Sequence, residues 1–196
     1  MISTTEHLMN CGFRVTYGYT QSDEISLLFH SEENAFSRKV RKYDSILAGE
    51  ASSKFSLLLN HHAAFDCRIS QLPNPTHVCD YFSWRMEDAH RNALNGHRYW
   101  KLRRDGVPPE KAASELMGMS SADKNELLFK AGVNFNDLPN WQKRGSGLYW
   151  SAYEKSATNP ITGEPVVAKR RKIFTSLDLP IKDDFRLFLT SILLNP

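Results

Sequence analysis

Cysteine is scarce in this 196-residue sequence, and Cys11, Cys67 and Cys79 stand far apart with no C-x-x-C pair. That usage excludes a disulfide framework and a thiolate zinc site, and it reads as a chain for a reducing compartment. His61-His62 is adjacent rather than one helical turn apart and has no thiols nearby, so it makes a poor metal pair. No apolar run approaches the ~18 residues of a membrane span and no signal peptide is visible, so the expectation is a soluble, cytoplasmic protein with no membrane partner. Internal repeats and low-complexity tracts are missing too. So is a strong excess of one charge: 25 Lys and Arg against 22 Asp and Glu leave +3. What remains is ordinary globular composition, 41% hydrophobic and 24% charged, enough for one domain or one domain with a packed appendage.

The small net charge hides three dense basic clusters: Arg38-Lys39-Val40-Arg41-Lys42, Lys101-Leu102-Arg103-Arg104 and Lys169-Arg170-Arg171-Lys172. Each is either a solvated face or part of the footprint of a polyanion. The most informative acidic feature is Gln21-Ser22-Asp23-Glu24. It joins two alternating stretches, Phe13-Val15-Tyr17-Tyr19 and Ile25-Leu27-Phe29, which read as a β-hairpin with one buried face. Its tip then carries two adjacent carboxylates, which suit a hard cation such as magnesium that shares its shell with water and phosphate. The alternative on spacing alone is a solvated acidic turn.

From Phe36 to Leu58 apolar residues step by three or four, predicting an amphipathic helix with Glu32 and Glu33 near its start. Lys39, Lys42 and Arg38 on its flank suit a triphosphate whose metal sits at the hairpin tip. Phe65 to Leu72 reads as a strand stopped by Pro73-Asn74-Pro75. Residues 76–104 read as a long helix with a bend near Asn95-Gly96. It carries Arg85, Asp88, His90 and Asn92, a polar cluster suited to binding. Ser120 to Asp123 has capping-box spacing for a helix through Phe129. Gly147 to Tyr153 and Val166 to Phe174 read as two strands. The interleaving without βαβ spacing predicts an α+β sheet layered with helices.

Taken together, Tyr17 to Glu24, Ala51-Ser52-Ser53, Phe65-Asp66-x-Arg68, Ser83-Trp84-Arg85-x-x-Asp88-x-His90-x-Asn92-x-Leu94, Ala122 to Phe129, Asn134 to Gly145 and Asn159-Pro160-Ile161-Thr162-Gly163 resemble the tRNA(His) guanylyltransferase-like family of 3′–5′ nucleotide polymerases. The matches are collinear over nearly the whole chain. His90-Arg91-Asn92-Ala93-Leu94-Asn95-Gly96 replaces the eukaryotic H-I-N-N-L-Y-N, which suits the bacterial and archaeal branch. The resemblance implies a ferredoxin-like, polymerase-type palm over 1–118 and a C-terminal subdomain, 119–196, packed on it. It implies two Mg2+ ions, ATP and GTP as substrates, tRNA as partner and a homo-oligomer, commonly a tetramer. Carried over by position, Asp23 and Glu24 are the catalytic, metal-binding acids, and Ser22, Lys39, Lys42, His90, Asn92 and Lys124 bind nucleotide or the tRNA end.

The family also carries a D-G-R-x-F segment upstream of the hairpin, whose Asp is the other main metal ligand. The sequence begins about twenty residues before the hairpin and contains no such segment. The resemblance therefore implies a palm lacking its first strand and helix, with little nucleotidyl transfer by this chain alone and a tendency to self-associate. A non-catalytic tRNA- or nucleotide-binding remnant is the second hypothesis. A nucleotide cyclase on a similar palm is disfavoured, because Asn134 to Gly145 has no place in it.

Overall fold

A computed structural model describes residues 1–194. Its frame is a four-stranded antiparallel sheet in the order β2-β1-β3-β4. The strands are β1 (Val15–Gln21), β2 (Glu24–Phe29), β3 (Ser146–Thr158) and β4 (Pro165–Ser176). The mixed α+β class inferred from the sequence is borne out. β1 pairs with β2 through the tight join Gln21↔Glu24, and along its other edge with β3 from Tyr17↔Tyr149 to Thr20↔Ser146. The strands from the C-terminal half thus complete the sheet that the hairpin begins.

The hairpin has two buried faces rather than one. An irregularity between Val15 and Tyr17 shifts the register, and a bulged residue there turns the alternation over. Tyr17 and Tyr19 therefore face α3 (Pro75–Arg104) and α7 (Lys182–Leu194), packing with Val78, Phe82, Phe185 and Leu189. Phe13 and Val15 face the opposite layer, formed by α1 (Ile2–Met9) and α2 (Val40–Leu59), with Leu8, Tyr43 and Leu47. The sequence pattern does not signal α1. It lies so close to β1 that a Cβ on Gly18 would come within 2.6 Å of the Thr5 Cγ2 methyl.

Three further expectations are corrected. The second helix starts at Val40, not Phe36, because Phe36, Ser37 and Arg38 all take left-handed φ (52°, 53° and 57°) in a 3-10 turn. Glu33 is not a dipole partner of α2. Its buried carboxylate accepts the backbone N–H groups of Arg14 and Ala35 and the Tyr43 hydroxyl, and so holds this strained turn. Residues 65–72 form no ladder among the described residues. Phe65, Cys67 and Ile69 do alternate inward against the α1–α2 cluster, but the amides of Ala63 and Phe65 go to Ser56 and Ser52 of α2. α3 stays helical for 30 residues, through Asn95 and Gly96. Just before Gly96 it meets a third apolar cluster, in which Leu94 packs with Leu128 and Phe135.

α3 is capped by Asn74, whose side chain accepts from the His77 amide. α4 (Pro109–Leu116) follows, then α5 (Ser121–Lys130), where the Ser120 hydroxyl accepts from the Asp123 amide as the spacing predicts. α6 (Asn140–Arg144) leads straight into β3.

Burial raises the pKa of Glu33, but the amides of Arg14, Ala35 and Asn34 and the Tyr43 hydroxyl outweigh it and hold the carboxyl below its ordinary value. A lowered carboxyl stabilises the fold above its unfolded pKa, and that contribution is lost as pH falls through the folded value. Glu33→Gln should therefore cost about 1–3 kcal/mol at pH 7. Its urea-denaturation stability should also fall less than the wild type's on acidification below about pH 4.5.

Candidate functional site

The acidic turn is a two-residue hairpin loop in which Ser22 takes a left-handed φ of 53°. Glycine would adopt that conformation at less cost, so a serine here marks strain at a candidate binding position. Asp23 is exposed and carries no ion pair among the described residues. Glu24 is tied to Arg85 of α3, whose guanidinium also faces Asp88 at 3.8 Å and stacks over Trp84 at 5.0 Å. Asp88 in turn accepts from Arg91 and Asn92 at 3.0 and 3.1 Å. This α3 face, Arg85-Asp88-Asn92, forms a chain of polar contacts ending on the turn.

The adjoining α3 face lines a cleft of about 530 Å³ closed by α6 and the start of α7, a volume suited to a nucleotide. Ser83, Glu87 and His90 come from α3, Lys143 and Arg144 from α6, and Arg186 from α7. The backbone fixes α6 against the turn. The Tyr19 hydroxyl donates to the Arg144 carbonyl at 2.8 Å, and the Gln21 amide donates to the Gln142 carbonyl at 3.1 Å. Gly145 ends α6 at φ 77°, where any Cβ would lie 2.7 Å from the Thr20 carbonyl oxygen. The helix can meet the strand only through a glycine.

Two donors on residues that line the cleft, Ser83 Oγ and Arg144 Nε, are buried and have no hydrogen-bond partner among the described residues, while the Arg144 and Arg186 guanidinia pair with Asp178 and Asp80. Buried unpartnered donors beside Lys143 and Arg186 suit an anionic, hydrogen-bonding ligand. His90 packs edge-on to Phe135 at 5.2 Å. Burial, then Lys143 and Arg144, push its pKa below the ordinary imidazole value.

Of the eight site residues inferred from the sequence, Ser22, Asp23 and Glu24 share the turn, and Asn92 joins it through Asp88. His90 lies on the neighbouring cleft face. Lys124 sits on α5, whose Asn125 and Glu126 border a smaller recess with Asn134 and Asn136; Asn136 belongs to the main cleft as well. Lys39 and Lys42 lie elsewhere. β2 carries the chain from Glu24 to Phe29, about 17 Å along the sheet, and α2 begins beyond that far end. Sequence reasoning gave no role to Lys143, Arg144 or Arg186. The signal for the first two was Lys-Arg-Gly immediately before a strand.

The implied pair of magnesium ions is a poor fit to these residues. Among the described residues no three His, Cys, Asp or Glu side chains gather as a metal site, and Arg85 already neutralises Glu24. Asp23 alone suits a single hydrated ion delivered on phosphate oxygens.

Comparison with known proteins follows the same lines. A family model described as tRNAHis guanylyltransferase matches residues 1–73, and one described as the Thg1 C terminal domain matches residues 76–178. The probable tRNA(His) guanylyltransferase of Drosophila melanogaster is 36% identical over 144 residues, covering 68% of this chain and 50% of its own length. The Homo sapiens counterpart is 32% identical over 159 residues, covering 75% and 53%. The chain spans about half the length of these curated relatives. A bacterial Thg1-like protein solved with GTP superposes with TM-score 0.70 at 26% identity, over 98% of this chain and 75% of that one. The same kind of protein solved with ATP gives 0.72 at 25%, over 97% and 76%.

An anion seated beside His90 favours the imidazolium, so binding should take up a proton. Affinity for inorganic triphosphate should rise as pH falls from about 7.5 to 6, and His90→Gln should flatten that dependence. Isothermal titration in buffers of different ionisation enthalpy counts the proton directly.

Proposed function

The chain belongs to the tRNA(His) guanylyltransferase family, and from that premise we propose that it handles nucleotide and RNA terminus in 3′–5′ nucleotide addition to tRNA 5′ ends, including repair of 5′-truncated tRNA. The observation that carries this reading is the cleft. Its volume suits a nucleotide, its walls supply Lys143, Arg144 and Arg186, and two of its buried donors lack partners. The cations hold phosphate oxygens, Ser83 and Arg144 fix orientation, and His90, braced edge-on by buried Phe135, offers an aromatic face for a base. Asp23 stands at the adjoining turn. Magnesium, when bound with the triphosphate, neutralises its charge.

Bound GTP and ATP in the bacterial structural relatives support the choice of nucleoside triphosphates as ligands. Assembly as a homotetramer rests on the resemblance of the motifs, and a cytoplasmic location on the scattered cysteines and the lack of a long apolar run in the sequence. No helix among the described residues is long and apolar enough to cross a membrane.

One observation favours a second reading, a nucleotide- and tRNA-binding chain without transfer of its own: Glu24 is held by Arg85 and no third acid joins Asp23. One substitution separates the two. If the chain is catalytic, Asp23→Asn should reduce guanylate addition to a tRNA 5′ end on the order of 100-fold or more, with tRNA affinity and Tm unchanged. Wild-type chain that binds GTP and tRNA but transfers nothing supports the second reading. Transfer unaffected by Asp23→Asn overturns the role of the turn.

A further inference from the structure

Two of the three basic clusters, more than 120 positions apart in sequence, lie toward the same end of the sheet, opposite the acidic turn. The arm that brings one of them there is β3–β4 beyond its contact with β1. From Trp150↔Ile173 to Thr158↔Pro165 the two strands pair only with each other, a ribbon projecting roughly 26 Å. Directly opposed residues share a face, so Ala152 with Arg171 and Glu154 with Lys169 continue the face that Trp150 and Ile173 bury against the α1–α2 layer.

A run of contacts ties that face to the start of α2. The Arg171 guanidinium lies over the Trp150 ring at 5.6 Å, and the Trp150 indole donates to the Val15 carbonyl at 2.8 Å. Val15 is paired with Phe29, whose ring packs on Tyr43 at 5.4 Å, one residue after Lys42. Arg38, Lys39, Arg41 and Lys42 are all exposed there, as are Lys169 and Arg171. The acids at this end are Glu32, opposite Arg14 at 3.8 Å, Asp66, opposite Arg68 at 3.6 Å, half-buried Asp44 early in α2, and Glu154 and Glu164 on the arm. Glu33 is turned inward.

We propose that the arm and the start of α2 form one cationic surface that docks the phosphate backbone of a structured RNA, remote from the cleft. The proposal rests on the reading of tRNA as partner and reassigns Lys39 and Lys42 from triphosphate to RNA backbone. Charge complementarity selects this occupant: six exposed cations along a projecting ribbon and an adjacent helix start match a line of phosphates. The surface positions the body of the RNA while its terminus reaches the other end of the sheet.

The test is fluorescence anisotropy of labelled tRNA between 50 and 200 mM salt. Lys169→Ala/Arg171→Ala and Lys39→Ala/Lys42→Ala should each weaken tRNA binding about tenfold and flatten the log K against log salt slope by about 1.5. GTP affinity should stay within twofold in both, and Lys101→Ala/Arg104→Ala should change tRNA affinity by less than twofold. Wild-type slope and affinity in both test pairs overturn the proposal. So does a loss of self-association by sedimentation with tRNA affinity intact, which makes the surface a contact between copies of the chain. Wild-type protein that does not bind tRNA at all sinks the functional reading itself; binding that is indifferent to these residues sinks only this surface.

Discussion

β1 is the strand on which everything else is registered. Its hydrogen bonds to β2 along one edge and to β3 along the other fix two opposite ends at once. At one end, Tyr19 and Gln21 clamp α6, so the acidic turn, Arg85 and the cleft are held together. At the other, Val15 receives the Trp150 indole and pairs with Phe29, so the base of the arm and the strand leading to α2 are tied to the same end of the sheet. Antiparallel pairing permits no slip by a single residue without turning every side chain over. The separation of the two ends is therefore as firm as the ladder itself.

That separation gives the molecule two different electrostatic tasks. The cleft is a partly open recess between α3, α6 and α7, with partnerless donors behind its walls and a depressed imidazole, which suits a defined group held in one orientation. The arm end is open, exposed and built from long flexible cations, which suits a backbone gripped at many points with little demand on geometry. A nucleotidyltransferase acting on an RNA terminus needs both. One part must register the terminus and another must hold the bulk of the molecule.

Much of this was legible beforehand, wherever a local rule governs. The hairpin followed from alternation, the α5 start from Ser120 and Asp123, the late strands from their β-branched and aromatic content, and the family from its collinear motifs. Local rules fail where a tertiary partner intervenes. Alternation alone could not show that a bulge between Val15 and Tyr17 buries both hairpin faces. The stripe from Phe36 looked helical, yet Glu33 captures amides that a helix start would leave free and forces three left-handed residues instead. Residues 65–72 have strand-like alternation, but serines of α2 take the Phe65 amide and, just before the segment, that of Ala63. Lys39 and Lys42 follow β2, which carries the chain away from the turn, so they stand toward the other end of the sheet.

The central claim, that terminus and body of the RNA occupy opposite ends of one sheet, is tested most directly by photocrosslinking. A tRNA carrying a photoreactive nucleotide at its 5′ end would be bound to the chain, irradiated and mapped by peptide mass spectrometry. Adducts on the peptides bearing His90 and Lys143, with none on those bearing Lys42 or Arg171, are the predicted result. Adducts concentrated at the start of α2 or along the arm would contradict it.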